Sequence, residues 1–191
     1  MSLIVADEKR IPPGQRLTSD LPVLHVGPVM QVDPRDFTLA LSGLVEPQTV
    51  MDWGQLLTYP TLEQTCDIHC VTGWTKLDTT WKGVRIADLL GRLTISPRAH
   101  HAVIRARGGW TTNLPLEELM RDDVLAAYEY EGRPLTPEHG GPVRLLVPRL
   151  YLWKSAKWLE GIEFTSDQRL GYWETRGYHE LGDPWLEQRY S

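Results

Sequence analysis

The chain lacks most of the features that mark large classes of protein. Two cysteines in 191 residues are too few for a secreted disulfide scaffold, and in a reducing compartment such a pair is expected as thiols. No apolar run approaches the roughly 18–20 residues needed to cross a bilayer, so no membrane insertion is expected. The N-terminus, Met1-Ser2-Leu3-Ile4-Val5-Ala6-Asp7-Glu8-Lys9-Arg10, has neither a basic segment ahead of an apolar run nor a twin-arginine pair, which points to a cytoplasmic protein. Positive charge is in deficit: 20 Lys and Arg stand against 25 Asp and Glu, for a net charge of −5. The two signs are interspersed, without the basic stripe of a nucleic-acid reader, so no nucleic-acid partner is expected. Dinucleotide-binding, Walker and haem-attachment motifs are missing, and there is no internal repeat or heptad.

With 41% apolar residues, the chain can bury one substantial core and is short for two, so a single domain over 1–191 is expected. Residues 1–35, rich in Pro, Gly and polar residues, read as an extended arm on a body. Strands are expected at 37–41, 62–68, 102–107, 124–130, 143–147 and 158–164, where β-branched and aromatic residues run between Gly or Pro boundaries. Short helices are expected at 51–57, 84–90 and 116–120. Irregular alternation of strands and short helices argues for an α+β fold with mixed sheets. The tail, 171–191, holds three tyrosines and two tryptophans among charged residues and is expected to pack over the body.

Both cysteines fall in Cys66-Asp67-Ile68-His69-Cys70-Val71-Thr72-Gly73-Trp74. Cys70 follows a strand, lies among polar residues and comes shortly before a glycine that permits close approach of a ligand; it is placed on a loop between a strand and a helix. A buried cysteine is commonly an inert small hydrophobe, but these surroundings suit a thiolate ligand. Zinc would need Cys66, His69 and Cys70, with His100 or His101 as a fourth donor. Adjacent side chains on an extended chain diverge, which disfavours that set. A redox pair would need Cys-x-x-Cys, one residue shorter than the spacing here. A second segment, Pro137-Glu138-His139-Gly140-Gly141-Pro142-Val143-Arg144, is followed by Lys154-Ser155-Ala156-Lys157. It combines two glycines, expected to make room for a ligand, with three cations, and can also be read as a glycine loop before a core strand.

Together these segments resemble the sulfite oxidase superfamily of molybdopterin-binding oxidoreductases, from about His25 to Phe164. In that family one cysteine, in a segment like His69-Cys70-Val71-Thr72-Gly73-Trp74, ligates molybdenum, which assigns the metal to Cys70. Trp81-Lys82-Gly83-Val84 matches the continuation found in relatives. Leu125-Ala126-Ala127-Tyr128-Glu129 matches a strand that carries an active-site tyrosine, here Tyr128. The resemblance implies a molybdenum–molybdopterin cofactor held by His25, His139, Arg144, Ser155, Ala156 and Lys157, with Cys70 on the metal. The chemistry agrees: molybdenum takes soft sulfur donors, and a terminal phosphate suits a guanidinium and an ammonium.

The resemblance also implies oxygen-atom transfer on a small, sulfur-containing molecule, with electrons exchanged through a separate cytochrome, flavoprotein or ferredoxin. Sulfite oxidases carry an arginine four residues after the metal-binding cysteine, where it helps bind an anion; Trp74 stands there, as an aromatic does in a methionine-sulfoxide-reductase-like branch. That branch is exported, and the dimerisation domain of sulfite oxidases has no counterpart here. Cys66 matches no family position. Two other classes share parts of the pattern, a molybdopterin-binding subunit without turnover and a zinc-stabilised structural domain.

Overall fold

The computed structural model describes residues 9–191, so the first eight residues of the expected arm lie outside it. The arm forms a two-residue strand, Arg16–Leu17 (β1), and a 3-10 turn at Pro34–Asp36. Strands Thr38–Gly43 (β2), Val45–Glu46 (β3) and Thr49–Asp52 (β4) lead into helix Trp53–Leu56 (α1). The expected helix over 51–57 therefore begins only at Trp53, with Met51 and Asp52 ending a strand. Asp52 stops the strand and starts the helix, because its carboxylate accepts the Gln55 N–H at 2.8 Å while the Gln55 side chain accepts the Asp52 N–H at 2.9 Å.

Two long strands follow, Thr61–Cys70 (β5) and Trp74–Arg85 (β6), then helix Ile86–Leu90 (α2) and the short strand Thr94–Ile95 (β7). Cys70 thus closes a hairpin, rather than lying between a strand and a helix. Gly73, at φ +93°, allows the reversal, and its N–H donates to the Cys70 carbonyl at 2.9 Å. The remaining elements are His101–Ala106 (β8), Trp110–Pro115 (β9), helix Leu116–Leu119 (α3), Leu125–Tyr130 (β10), Arg133–Pro134 (β11), Arg144–Leu146 (β12) and Leu159–Thr165 (β13).

Most of these strands make two mixed sheets, while β3 and β7 pair with each other in a small third one. In one, β6 pairs with β5, β1 and β10, and β10 pairs in turn with β11 and β12; in the other the order is β4-β2-β13-β8-β9. Parallel pairs (β1 with β6, β2 with β13) sit among antiparallel ones, which makes this the expected α+β mixed-sheet architecture. Residues of both sheets, among them Leu39, Leu41, Val84, Ala126, Tyr128, Ile162 and Phe164, meet with the helices in one buried cluster. The opposite parity of the first sheet, including Trp81, Leu125, Ala127 and Leu146, builds a second cluster with Cys70, Val71, Trp74 and Trp153. Trp81 anchors it, fully buried with its indole N–H donated to Thr79 Oγ1 at 2.8 Å; truncation to alanine would cost about 3–5 kcal/mol. No helix among the described residues is long and apolar enough to cross a membrane.

Candidate active site

A cavity of about 550 Å³ opens beside the second cluster. It is lined by the arm from Leu21 to Pro28, the turn Cys70–Thr72 with Trp74, the β8–β9 turn, the 139–158 region and the tail aromatics Tyr172, Trp173 and Tyr178. The cavity collects His25, Cys70, Trp74, His139, Arg144, Ser155, Ala156 and Lys157, all but one of the residues expected at the site.

Tyr128 is the exception. Successive residues of β10 alternate between the two clusters, and Tyr128 falls with Ala126 on the intersheet side, its ring edge-on to Trp53 at 5.7 Å between centroids. Burial raises its phenol pKa. This strand parity places Tyr128, expected as a catalytic residue, outside the lining of the cavity.

The Cys70 sulfur sits at the end of β5, opposite Trp74 across the hairpin. Burial raises its thiol pKa; the Thr72 hydroxyl and N–H, then the charges of Arg189 and Lys157, oppose that rise. Thr72 Oγ1 donates to Sγ at 3.2 Å. The backbone of the turn is held from two directions: Gln15 of the arm donates to the Cys70 carbonyl at 3.1 Å, and Arg189 of the tail to the Val71 carbonyl at 2.8 Å. Trp74 is 4% exposed, and its indole Nε1–H has no acceptor among the described residues. A buried donor without a partner is costly and uncommon, so its presence in a cavity wall suits an oxygen-bearing ligand.

Arg144 is buried to 1% exposure without a carboxylate partner among the described residues. Its Nη1 and Nη2 donate to the carbonyls of His139 (3.0 Å) and Ser155 (2.8 Å), and burial alone lowers its pKa to about 10. Lys157 Nζ donates to two more carbonyls, Leu24 at 2.9 Å and Glu138 at 2.5 Å; burial and then Arg144 bring its pKa down to about 8. His139 is shifted down by burial and then by the same two cations. Trp81 and Trp158 lie beneath the two cations at 5.5 and 5.8 Å, and Glu138 partly offsets the charge of Lys157; neither cation has a carboxylate within ion-pair distance among the described residues, an arrangement that suits an anion.

The other expected residues take smaller parts. Ser155 Oγ accepts the Val147 N–H at 2.9 Å, and the Ala156 carbonyl accepts the Leu145 N–H at 2.8 Å, tying this wall to the core. His25 is exposed; its Nδ1–H donates to the Gly27 carbonyl at 2.9 Å and its ring meets Trp158 edge-on at 5.9 Å. Gly140 and Gly141 make room for the chain itself: a Cβ on either would strike Lys157 or the Leu135 backbone. Both cysteines are free. Cys66 faces Thr79 Oγ1 at 3.8 Å, and the His69 ring pairs with Thr75 Oγ1 at 2.9 Å, so the donors needed for zinc point to other partners. Among the described residues no group of three His, Cys, Asp or Glu side chains could hold a metal ion. Thr72, Trp153, Trp158, Trp173 and Tyr178 were not singled out for the site; the aromatic density of the tail was the one signal for the last two.

Residues 26–173 match the family described as the oxidoreductase molybdopterin binding domain. The chain belongs to that family. It is 45% identical to the uncharacterized oxidoreductase YuiH of Bacillus subtilis (strain 168), across 95% of this chain and 92% of that one. It is 28% identical to the catalytic subunit of the protein-methionine-sulfoxide reductase MsrP of Gluconobacter oxydans, across 78% of this chain and 53% of the relative. The crystal structure of the sulfane dehydrogenase SoxCD from Paracoccus pantotrophus shares the fold, with a TM-score of 0.67 and 23% identity over 73% of this chain and 40% of that one. The chain spans most of YuiH but about half of MsrP. At family level it is a molybdopterin-binding oxidoreductase of the sulfite oxidase and sulfoxide reductase type.

Proposed function

We propose that this molybdopterin-binding oxidoreductase reduces a small neutral S-oxide or N-oxide, with Cys70 as the protein ligand to molybdenum. One observation carries the reading: a single cavity gathers the Cys70 sulfur, the Trp74 N–H, which has no acceptor among the described residues, and the buried cations Arg144 and Lys157. These residues suit the cofactor. A soft sulfur answers the metal, the two cations answer a terminal phosphate, and Trp158, Ser155, Ala156, His139 and His25 form walls for a pterin. When bound, the molybdenum–pterin group supplies two-electron oxygen-atom transfer.

The protein's own part is recognition and exclusion. Trp74 offers one neutral donor where a guanidinium would attract a dianion, so its Nε1–H suits the oxygen of a neutral oxide. Trp110, Trp153, Trp173 and Tyr178 border the cavity with apolar rings that receive the organic substituents and exclude water. Reduction of a sulfoxide consumes two electrons and two protons and yields a thioether and water. The electrons come from a separate redox protein, a cytochrome, flavoprotein or ferredoxin.

The test combines metal and pterin analysis of the purified protein with kcat/KM at neutral pH. Dimethyl sulfoxide or trimethylamine N-oxide is assayed with an artificial donor, and sulfite with an artificial acceptor. The expected result is a molybdenum-loaded protein that prefers the oxide. Efficient sulfite oxidation without oxide reduction overturns the substrate assignment, and a pterin-loaded protein inert in both directions supports a binding subunit instead.

A further inference from the structure

In many turns a side chain at the first position bonds a group two residues on, most often through an aspartate or asparagine; the turn Cys70–Gly73 has such a contact. A sulfur takes the place of the carboxylate. The Thr72 hydroxyl donates to the Cys70 sulfur at 3.2 Å. Thr72 is exposed, so water could satisfy its hydroxyl equally well, yet the side chain turns inward. Gln15 and Arg189 hold the carbonyls of Cys70 and Val71, so neither the sulfur nor its donor is free to swing with the turn.

We infer that Thr72 is a positioning residue that sets the electron-donating strength of the Cys70 thiolate toward its metal, and with it the reduction potential of the centre. The inference rests on the assignment of molybdenum to Cys70. A hydrogen bond donated to a ligating sulfur draws electron density away from the sulfur–metal bond, which favours the reduced metal; hydrogen bonding around cysteine sulfur tunes copper and iron–sulfur centres in this way. The effect matters where electrons arrive one at a time from outside, because the potential decides whether the partner can deliver them.

Thr72→Val separates this role from turn stability, since valine keeps the β-branched shape and the backbone N–H and removes only the hydroxyl. Potentiometric titration of the holoprotein, followed by the electron paramagnetic resonance of the half-reduced metal, should show the redox equilibrium moved toward the oxidised form by up to about tenfold, equivalent to about 59 mV for a one-electron couple. The metal–sulfur vibration should rise in frequency, and Thr72→Ser should restore both. A wild-type potential and vibration in a fully loaded Thr72→Val protein overturns the inference, even if thermal stability falls. Cys70→Ser is measured in parallel: full retention of molybdenum in that variant overturns the ligand assignment, and the inference with it, whereas loss of molybdenum there leaves the Thr72 result to stand or fall by itself.

Discussion

Gly140 lies directly against Lys157: a Cβ at residue 140 would stand 2.7 Å from the Lys157 Cβ and 2.8 Å from its Cα. The Gly140 carbonyl also accepts the Trp158 N–H at 3.1 Å. The glycine, at φ +99°, is the seat of the cavity lysine. Gly140→Ala combines a disfavoured backbone conformation with a clash against Cα, so it should lower thermal stability by about 1–3 kcal/mol. It should also weaken binding of inorganic phosphate to the cofactor-free protein. Unchanged melting and unchanged phosphate affinity, measured by calorimetry, would show that Lys157 needs no such seat.

Cys70→Ser should remove molybdenum and turnover while leaving much of the pterin bound, because Arg144 and Lys157 remain. Cys66→Ser should keep wild-type metal, since Cys66 faces Thr79 and lies outside the cavity lining. Equal loss of metal in the two variants would mean that the ligand has been misassigned.

Arg144→Ala should weaken retention of an anionic cofactor by roughly 10- to 150-fold, the value of a charge-assisted contact of about 1.5–3 kcal/mol. Arg144→Lys should fall between, keeping charge but losing the planar fork that holds the His139 and Ser155 carbonyls. A normal pterin load in Arg144→Ala after gel filtration places the anion elsewhere.

Affinity for inorganic phosphate should fall as pH rises from about 8 to about 10. The Lys157 pKa, lowered by burial and by Arg144 to about 8, means that the free protein loses this ammonium in that window, while phosphate stays a dianion. A bound anion favours the charged lysine, so binding takes up a proton and weakens as protons become scarce. Lys157→Arg should flatten the fall. A pH-independent affinity in the native protein would remove Lys157 from the anion site.

Tyr128→Phe should leave kcat/KM within about twofold of wild type, because the ring packs on Trp53 in the intersheet core and a single buried hydroxyl contributes little to a site it does not face. A loss of a hundredfold or more would bring the phenol back into the chemistry.

Most of the cavity was legible in the sequence because its chemistry is concentrated in two short segments, around Cys70 and from His139 to Lys157. Facing was not. Tyr128 alternates in step with Ala126, away from Leu125 and Ala127, and lies where the register shifts between Ala127 and Glu129; nothing in Leu-Ala-Ala-Tyr-Glu reveals which side of the strand meets the cavity. The strand Trp110–Pro115 was missed because Thr112 and Asn113 are polar and yet fully buried; Asn113 accepts from Lys154 Nζ through its carbonyl at 3.0 Å and its side chain at 3.1 Å. Val84 and Arg85 looked helical because their spacing runs smoothly into Ile86–Leu90, whereas they finish a strand whose middle, Lys76 to Thr80, breaks simple alternation. The glycines of the second segment were assigned to a ligand. Their neighbours are Lys157 and Leu135, contacts far along the chain that no local pattern encodes.

The arm segment from Leu21 to Pro28 is both a wall of the cavity and a partner of its lysine, through the bond from Lys157 Nζ to the Leu24 carbonyl. A bulky guest then has two separate clocks. Its equilibrium affinity is set by Arg144 and Lys157, but its residence time also depends on how often the arm lifts from the body. Loosening the arm without touching the cations would speed both capture and escape, so a holoprotein that survives long dialysis would owe part of that endurance to a segment that brings no charge to the anion.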